Sequence, residues 1–188
     1  MGQAIKKNKV EYIDKLHGNS KGWITRSCID ENGYSQWHYK YLELKETDLT
    51  GENIYITLNT FYKPCRRLEC IKELNFVYID LDYYKTKYTK EQVIMNLESN
   101  YFNKIIPATN YIIDSGRGLA LLWNINKVPS QALPLWKAIQ EYLYHQLKEF
   151  GADRQALDAT RVLRVPGSIN SKSKTVVSII DEYDYIYD

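Results

Sequence analysis

The apolar positions of this chain fall into short runs and helical stripes, with no repeating unit. Between Trp23 and Leu44 the segments WITRSCI and WHYKYLEL alternate apolar and polar residues around ENG, which predicts a β-hairpin. NIYITLNTF (53–61) predicts a further strand, followed by the basic, proline-containing loop YKPCRRLEC. FVYIDLD (76–82) predicts a buried strand that ends in two acids. Thr89-Lys-Glu-Gln92 is a capping box, opening a helix with Val93, Ile94 and Leu97 on one face. TNYIID (109–114) and LALLWNI (119–125) predict buried strands joined by the turn SGRG. Ser130 caps a long helix through Phe150, with Ala132, Leu135, Trp136, Ile139, Leu143 and Leu147 as its buried stripe and Gly151 as its stop. Pro134 falls in the first turn, where a missing amide hydrogen is tolerated. TVVSII predicts a last strand. Strands and helices mix without regular alternation, which predicts an α+β fold with a mainly antiparallel sheet.

Composition adds bounds. The 188 residues suffice for one large domain that buries about two thirds of its unfolded surface. The formal charge of +2 singles out no partner. Tyrosine is abundant, 17 residues against 4 phenylalanines, which suits stacking on nucleic acid and equally suits half-buried strands. No apolar stretch approaches the roughly 20 residues needed to cross a bilayer, and MGQAIKKNK lacks an apolar signal core. Three cysteines, Cys28, Cys65 and Cys70, form no even framework, so a reducing, cytoplasmic setting is expected. Cys65 and Cys70 with His17 or His38 have the ligand types for zinc, but their spacing matches no finger pattern. Residues 1–20 are polar and lysine-rich and are expected to be loosely ordered. The acidic, patternless DEYDYIYD is expected where a longer protein has been cut.

Three segments carry chemistry. Asp80 and Asp82, two apart on a strand, share a face, and their mutual repulsion calls for a counter-charge. A divalent cation with oxygen ligands, Mg²⁺ or Mn²⁺, supplies one. Ser115-Gly116-Arg117-Gly118 between two strands offers backbone N–H groups, a hydroxyl and a guanidinium to an anion such as a triphosphate; a tight hairpin with an exposed arginine is the plainer reading. LDATRVLRVPGSINSKSK places Asp158 ahead of Arg161, Arg164, Lys172 and Lys174, either a solvated basic face or the lining of a polyanion channel. Together these are the parts needed for two-metal phosphoryl transfer.

IDLD, SGRG and LDATRVLRVPGSIN, in that order, resemble the three motifs of the archaeo-eukaryotic primase superfamily, most closely the primase domains of plasmid and phage replication proteins of Gram-positive bacteria. The resemblance covers roughly residues 53–180. It implies a catalytic core built on an RNA-recognition-motif-like sheet (about 76–182) beside an N-terminal α/β part (about 21–75), together one domain over 21–188. It also implies template-directed primer synthesis on single-stranded DNA from NTPs or dNTPs. A replicative helicase or a C-terminal helical domain of the same protein is the further partner it suggests.

Carried over, Asp80, Asp82 and Asp158 bind two metals, with Asp153 the second choice for the third acid. Ser115, Gly116, Arg117 and Gly118 contact the incoming phosphates, and Arg161, Arg164 and Lys172 face triphosphate or template. Ala120 stands where many members carry a nucleotide-contacting histidine. That departure keeps a second expectation open: a weak or inactive module that binds single-stranded nucleic acid. A nicking initiator needs a histidine pair near a nucleophilic tyrosine, and His17, His38 and His145 form no such pair.

Overall fold

A computed structural model of the chain describes residues 11–188. The loose start expected over 1–20 therefore lies partly outside the described residues. Within them, 11–17 form helix α1, because Tyr12, Ile13 and Leu16 make a stripe that is buried in the core.

Two antiparallel sheets follow. The first has the order β2 (Gly33–Tyr39), β1 (Ile24–Asp30), β3 (Ile54–Thr57) and β8 (Val162–Arg164). Its hairpin, β1 (Ile24–Asp30) and β2 (Gly33–Tyr39), turns at the expected ENG. The second half of WHYKYLEL, however, is helix α2 (Tyr41–Glu46) and not strand. The Glu43 carboxylate accepts from the Lys40 amide at 2.8 Å, and that local cap overrides the alternation. NIYITLNTF breaks into β3 (Ile54–Thr57) and β4 (Thr60–Phe61), which belong to different sheets.

The second sheet has the order β11-β6-β7-β5-β4, formed by β4, β5 (Ile71–Leu81), β6 (Tyr111–Asp114), β7 (Leu119–Pro129) and β11 (Ser178–Glu182). Helix α3 (Lys90–Asn96) begins at the expected capping box, with the Thr89 hydroxyl accepting from the Gln92 amide. A small hairpin, β9 (Ile169–Asn170) and β10 (Thr175–Val176), and β8 (Val162–Arg164) complete the strands. The α+β architecture with a mainly antiparallel sheet is as the residue pattern predicts.

β4 pairs only the first residues of β5, at Glu73 and Ile71. The open remainder of that edge would expose backbone polar groups inside the protein, which is costly. Helix α4 (Leu133–Leu147) covers it. Trp136 Nε1 donates to the Phe76 carbonyl at 2.8 Å, and Gln140 Oε1 accepts from the Tyr78 amide at 3.0 Å. Gln140 also donates to the Ala156 carbonyl at 2.9 Å and is fully buried. Thus α4 turns a different face inward from the one its apolar pattern suggests. Trp136, Leu143 and Leu147 are buried as expected, whereas Leu135 is 65% exposed and Ile139 40% exposed.

His17 is a core residue. It bonds the Thr57 carbonyl at 2.9 Å, and burial lowers its pKa from 6.5 to about 4. Cys28, Cys65 and Cys70 are free thiols. Among the described residues no helix is long and apolar enough to cross a membrane.

Candidate active site

The end of β5 is where the two sheets meet. Asp80 pairs with Ala120 of β7, which pairs in turn with Ile113 of β6, so these three side chains share one face. All three line a cavity of about 130 Å³ together with Asp82, Ser115, Gly118, Tyr55, Arg161 and Arg164. Strand pairing stops at Leu81, and Asp82 leaves the strand with ψ of 57°, entering a turn over Tyr83–Lys85. Both residues line the cavity, Asp80 from the strand and Asp82 from the turn rather than from the shared strand face that the Asp-x-Asp spacing predicts.

The residues after α4 hold this strand end. Gly151 adopts φ +83°, the left-handed conformation that favours glycine, and any Cβ there would lie 2.7 Å from the Asp82 carbonyl oxygen. The Asp82 amide donates to the Gly151 carbonyl, and the Asp153 amide donates to the Asp80 carbonyl, each at 2.8 Å. The 151–153 segment thereby extends the open edge of β5 and delivers Asp153 beside Asp80. One Arg161 nitrogen, Nη2, lies 3.0 Å from both Asp80 Oδ2 and Asp153 Oδ2.

Burial pushes the Asp80 pKa above the usual carboxylate value. Arg161 pulls it down, and the Asp153 and Asp82 charges push it up again. Asp82 is paired with Lys85 Nζ at 2.5 Å.

Asp158 stands elsewhere. It is exposed, does not line the cavity, and its carboxylate accepts from the Thr160 amide at 2.9 Å and from the Thr160 hydroxyl. Its carbonyl accepts from the Tyr78 hydroxyl at 2.7 Å and the Arg161 amide at 3.0 Å. Asp158 thus closes the turn that directs Arg161 toward Asp80, while Asp153 shares the Arg161 guanidinium with Asp80. Lys172 is exposed on the β9–β10 hairpin and is not part of the cavity lining.

The SGRG turn packs close to the acids. A Cβ on Gly118 would lie 2.6 Å from the Leu81 carbonyl oxygen and 3.6 Å from Asp82 Oδ1. Two of its amides are already committed: Ser115 N donates to the Gly118 carbonyl at 2.9 Å and Gly116 N to Asp114 Oδ1 at 2.7 Å. The Ser115 hydroxyl also donates to Gly118 O, at 2.9 Å. The anion kit expected from this turn is therefore smaller than four residues. Arg117 is exposed, with its guanidinium 4.5 Å from the centre of the Tyr84 ring.

Tyr55 was not singled out by sequence. It faces the cavity only because β3 pairs with β8, placing Tyr55 directly opposite Arg164, with the guanidinium 4.8 Å from the ring centre. No local pattern announces a pairing between segments so far apart.

The two carboxylates suit a divalent cation, which takes one or two carboxylates and completes its shell with water and phosphate oxygens. The upward push on Asp80 fits that use, because a bound cation relieves the cost of its charge. Among the described residues no group of three or more His, Cys, Asp or Glu is arranged around one metal position.

No protein-family model matches the chain. A replication protein of Clostridium perfringens is 75% identical over 188 residues, covering all of this chain and 46% of that protein, so the chain spans about half the length of its relative. Two solved structures share the fold. The AEP domain of the cyanophage S-2L primase-polymerase matches at a TM-score of 0.67 and 14% identity, over 97% of this chain and 93% of that one. The catalytic domain of primase RepB′, solved with initiator DNA, matches at 0.58 and 11% identity, over 94% and 85%. The chain therefore has the fold of the primase and primase-polymerase domains of the archaeo-eukaryotic primase superfamily and is a homologue of a bacterial replication protein.

Proposed function

We propose that this chain is a primase or primase-polymerase catalytic domain, extending a primer on a single-stranded DNA template from NTPs or dNTPs. One observation carries the reading: Asp80, Asp82, the Gly118 end of the SGRG turn and two arginines converge on one cavity. Asp80 and Asp82 would hold Mg²⁺ or Mn²⁺, with Asp153, tied to Asp80 through Arg161, as the third carboxylate. When bound, the cation lowers the pKa of the attacking 3′-hydroxyl and stabilises charge on the α-phosphate. The 3′-oxygen forms its bond to the α-phosphorus, the bond to the bridging oxygen breaks, and pyrophosphate leaves. Arg164 and Arg117 have no carboxylate partner among the described residues and would neutralise phosphate oxygens. Asp158 positions Arg161 through the turn it closes.

Primer synthesis on single-stranded DNA, tried with each metal and nucleotide type, tests this. Asp82→Ala is expected to abolish synthesis while the domain stays folded, and unchanged synthesis would sink the assignment. Asp153→Ala is expected to cost more activity than Asp158→Ala. The reverse order restores Asp158 as the third acid.

A second reading is a module that binds single strands without turnover. It is favoured by Arg161 and Lys85, which already neutralise the two aspartates, and by Ala120, which presents only a methyl group opposite Asp80. Strand binding with no incorporation would support it.

A further inference from the structure

The cavity has a continuation on the first sheet. Four directly paired positions, Arg164, Tyr55, Ser27 and Gln36, form one row across β8, β3, β1 and β2. At strand spacing the row spans about 14 Å, from the cavity wall to the sheet edge. Tyr34, two residues from Gln36, lies on the same face, bonds Gln36 through its hydroxyl at 3.2 Å and is 48% exposed. Arg66 reaches over from the loop after β4. Its Nε donates to Gln36 Oε1 at 3.2 Å, its Nη1 to the Thr160 carbonyl at 2.9 Å, and its guanidinium lies 5.7 Å from the Tyr34 ring centre.

The charge on this face is unpaired. Arg161 is held by two carboxylates, but Arg66 and Arg164 have no acidic partner among the described residues and lie against tyrosine rings. Ser27 Oγ and Arg164 Nε are buried with no hydrogen-bond partner. A guanidinium carries a full charge, so two of them with no carboxylate partner on this face point to an anion outside the protein. At the hairpin tip Asp30, Glu31 and Glu52 line a separate hollow. They bound the positive strip on that side.

We propose that this row seats a single-stranded polynucleotide leading to the cavity, with Arg66 on a backbone phosphate at the Gln36 end and the Tyr34 ring under a base. The proposal rests on the polymerase reading and specifies where the template would lie. Uncompensated arginines supply sequence-independent attraction, and a ring already flanked by a cation is a stacking platform.

Fluorescence anisotropy of a labelled mixed-sequence single-stranded oligodeoxynucleotide, titrated at several salt concentrations, tests it. Tyr34→Ala is expected to weaken binding at least about fivefold, and Tyr34→Phe to retain it. Arg66→Ala is expected to lower the slope of log affinity against log salt by about one. Wild-type affinity in both Tyr34→Ala and Arg66→Ala, or a wild-type chain that does not bind the strand, overturns the seat. Nucleotide incorporation is scored separately. Binding lost in the variants with no incorporation by wild type leaves the seat and removes the polymerase; incorporation with unaffected variants does the opposite.

Discussion

Asp80 is a costly residue in a deliberate place. Its native-state pKa is raised, chiefly by burial, so the ionised form is disfavoured relative to the unfolded chain. The penalty is absent below the unfolded carboxylate pKa of about 3.9 and grows as pH rises through the raised value. Asp80→Asn is therefore expected to raise the melting temperature at neutral pH while eliminating primer synthesis; a lower melting temperature would contradict the burial argument. His17 runs the other way. Its pKa is depressed from 6.5 to about 4, so the unfolded state binds the extra proton between those values and stability falls as pH drops through that window. The full loss is about 3 kcal/mol. Urea unfolding of wild type and His17→Gln from pH 7 to 4 should show a flatter profile for the variant. Asp80 lies on the strand its pattern predicts, whereas Asp82, expected on the same strand face, lines the cavity from the turn after Leu81. Asp153 comes beside Asp80 only because the backbone of 151–153 pairs with the end of β5, and nothing within either segment encodes that pairing.

At the scale of elements, hairpin turns, the Thr89 cap and the Gly151 stop were readable, since each is set by residues within a few positions. The inward face of α4 was not. An apolar stripe predicts burial of Leu135 and Ile139, but the helix lies along a sheet edge whose backbone groups need partners, so Trp136 and Gln140 face inward. Gln140→Leu keeps similar bulk yet strands the Tyr78 amide and the Ala156 carbonyl. It should cost about 1–3 kcal/mol per unsatisfied group in chemical denaturation, whereas Leu135→Ala should change stability by less than about 0.5 kcal/mol. Equal effects would mean that the polar bridge contributes nothing.

For the whole molecule, the site depends on two sheets whose strands interleave along the chain. Fold class was legible because the mixture of strands and helices restricts the layers. Strand order was not, since β3–β8 joins Tyr55 to Arg164 and only the folded chain brings them together. If the cavity holds a cation, Mn²⁺ should raise the melting temperature of the native domain by mass action, about 2.7 kcal/mol of stabilisation at a hundredfold excess over its dissociation constant. Asp80→Asn and Asp82→Asn should lose that response. A shift of equal size in both variants would put the ion elsewhere.

The pairing of β3 with β8 also sets a schedule. Contacts between distant segments pay loop-closure entropy before they return any stability, so they form late. On the ribosome, Asp80 and Asp82 emerge long before Arg161 and Arg164, and the cavity has only one wall until β8 is released. A nascent chain therefore carries its acids before the arginines that complete the cavity, and the cavity closes only once β8 is released.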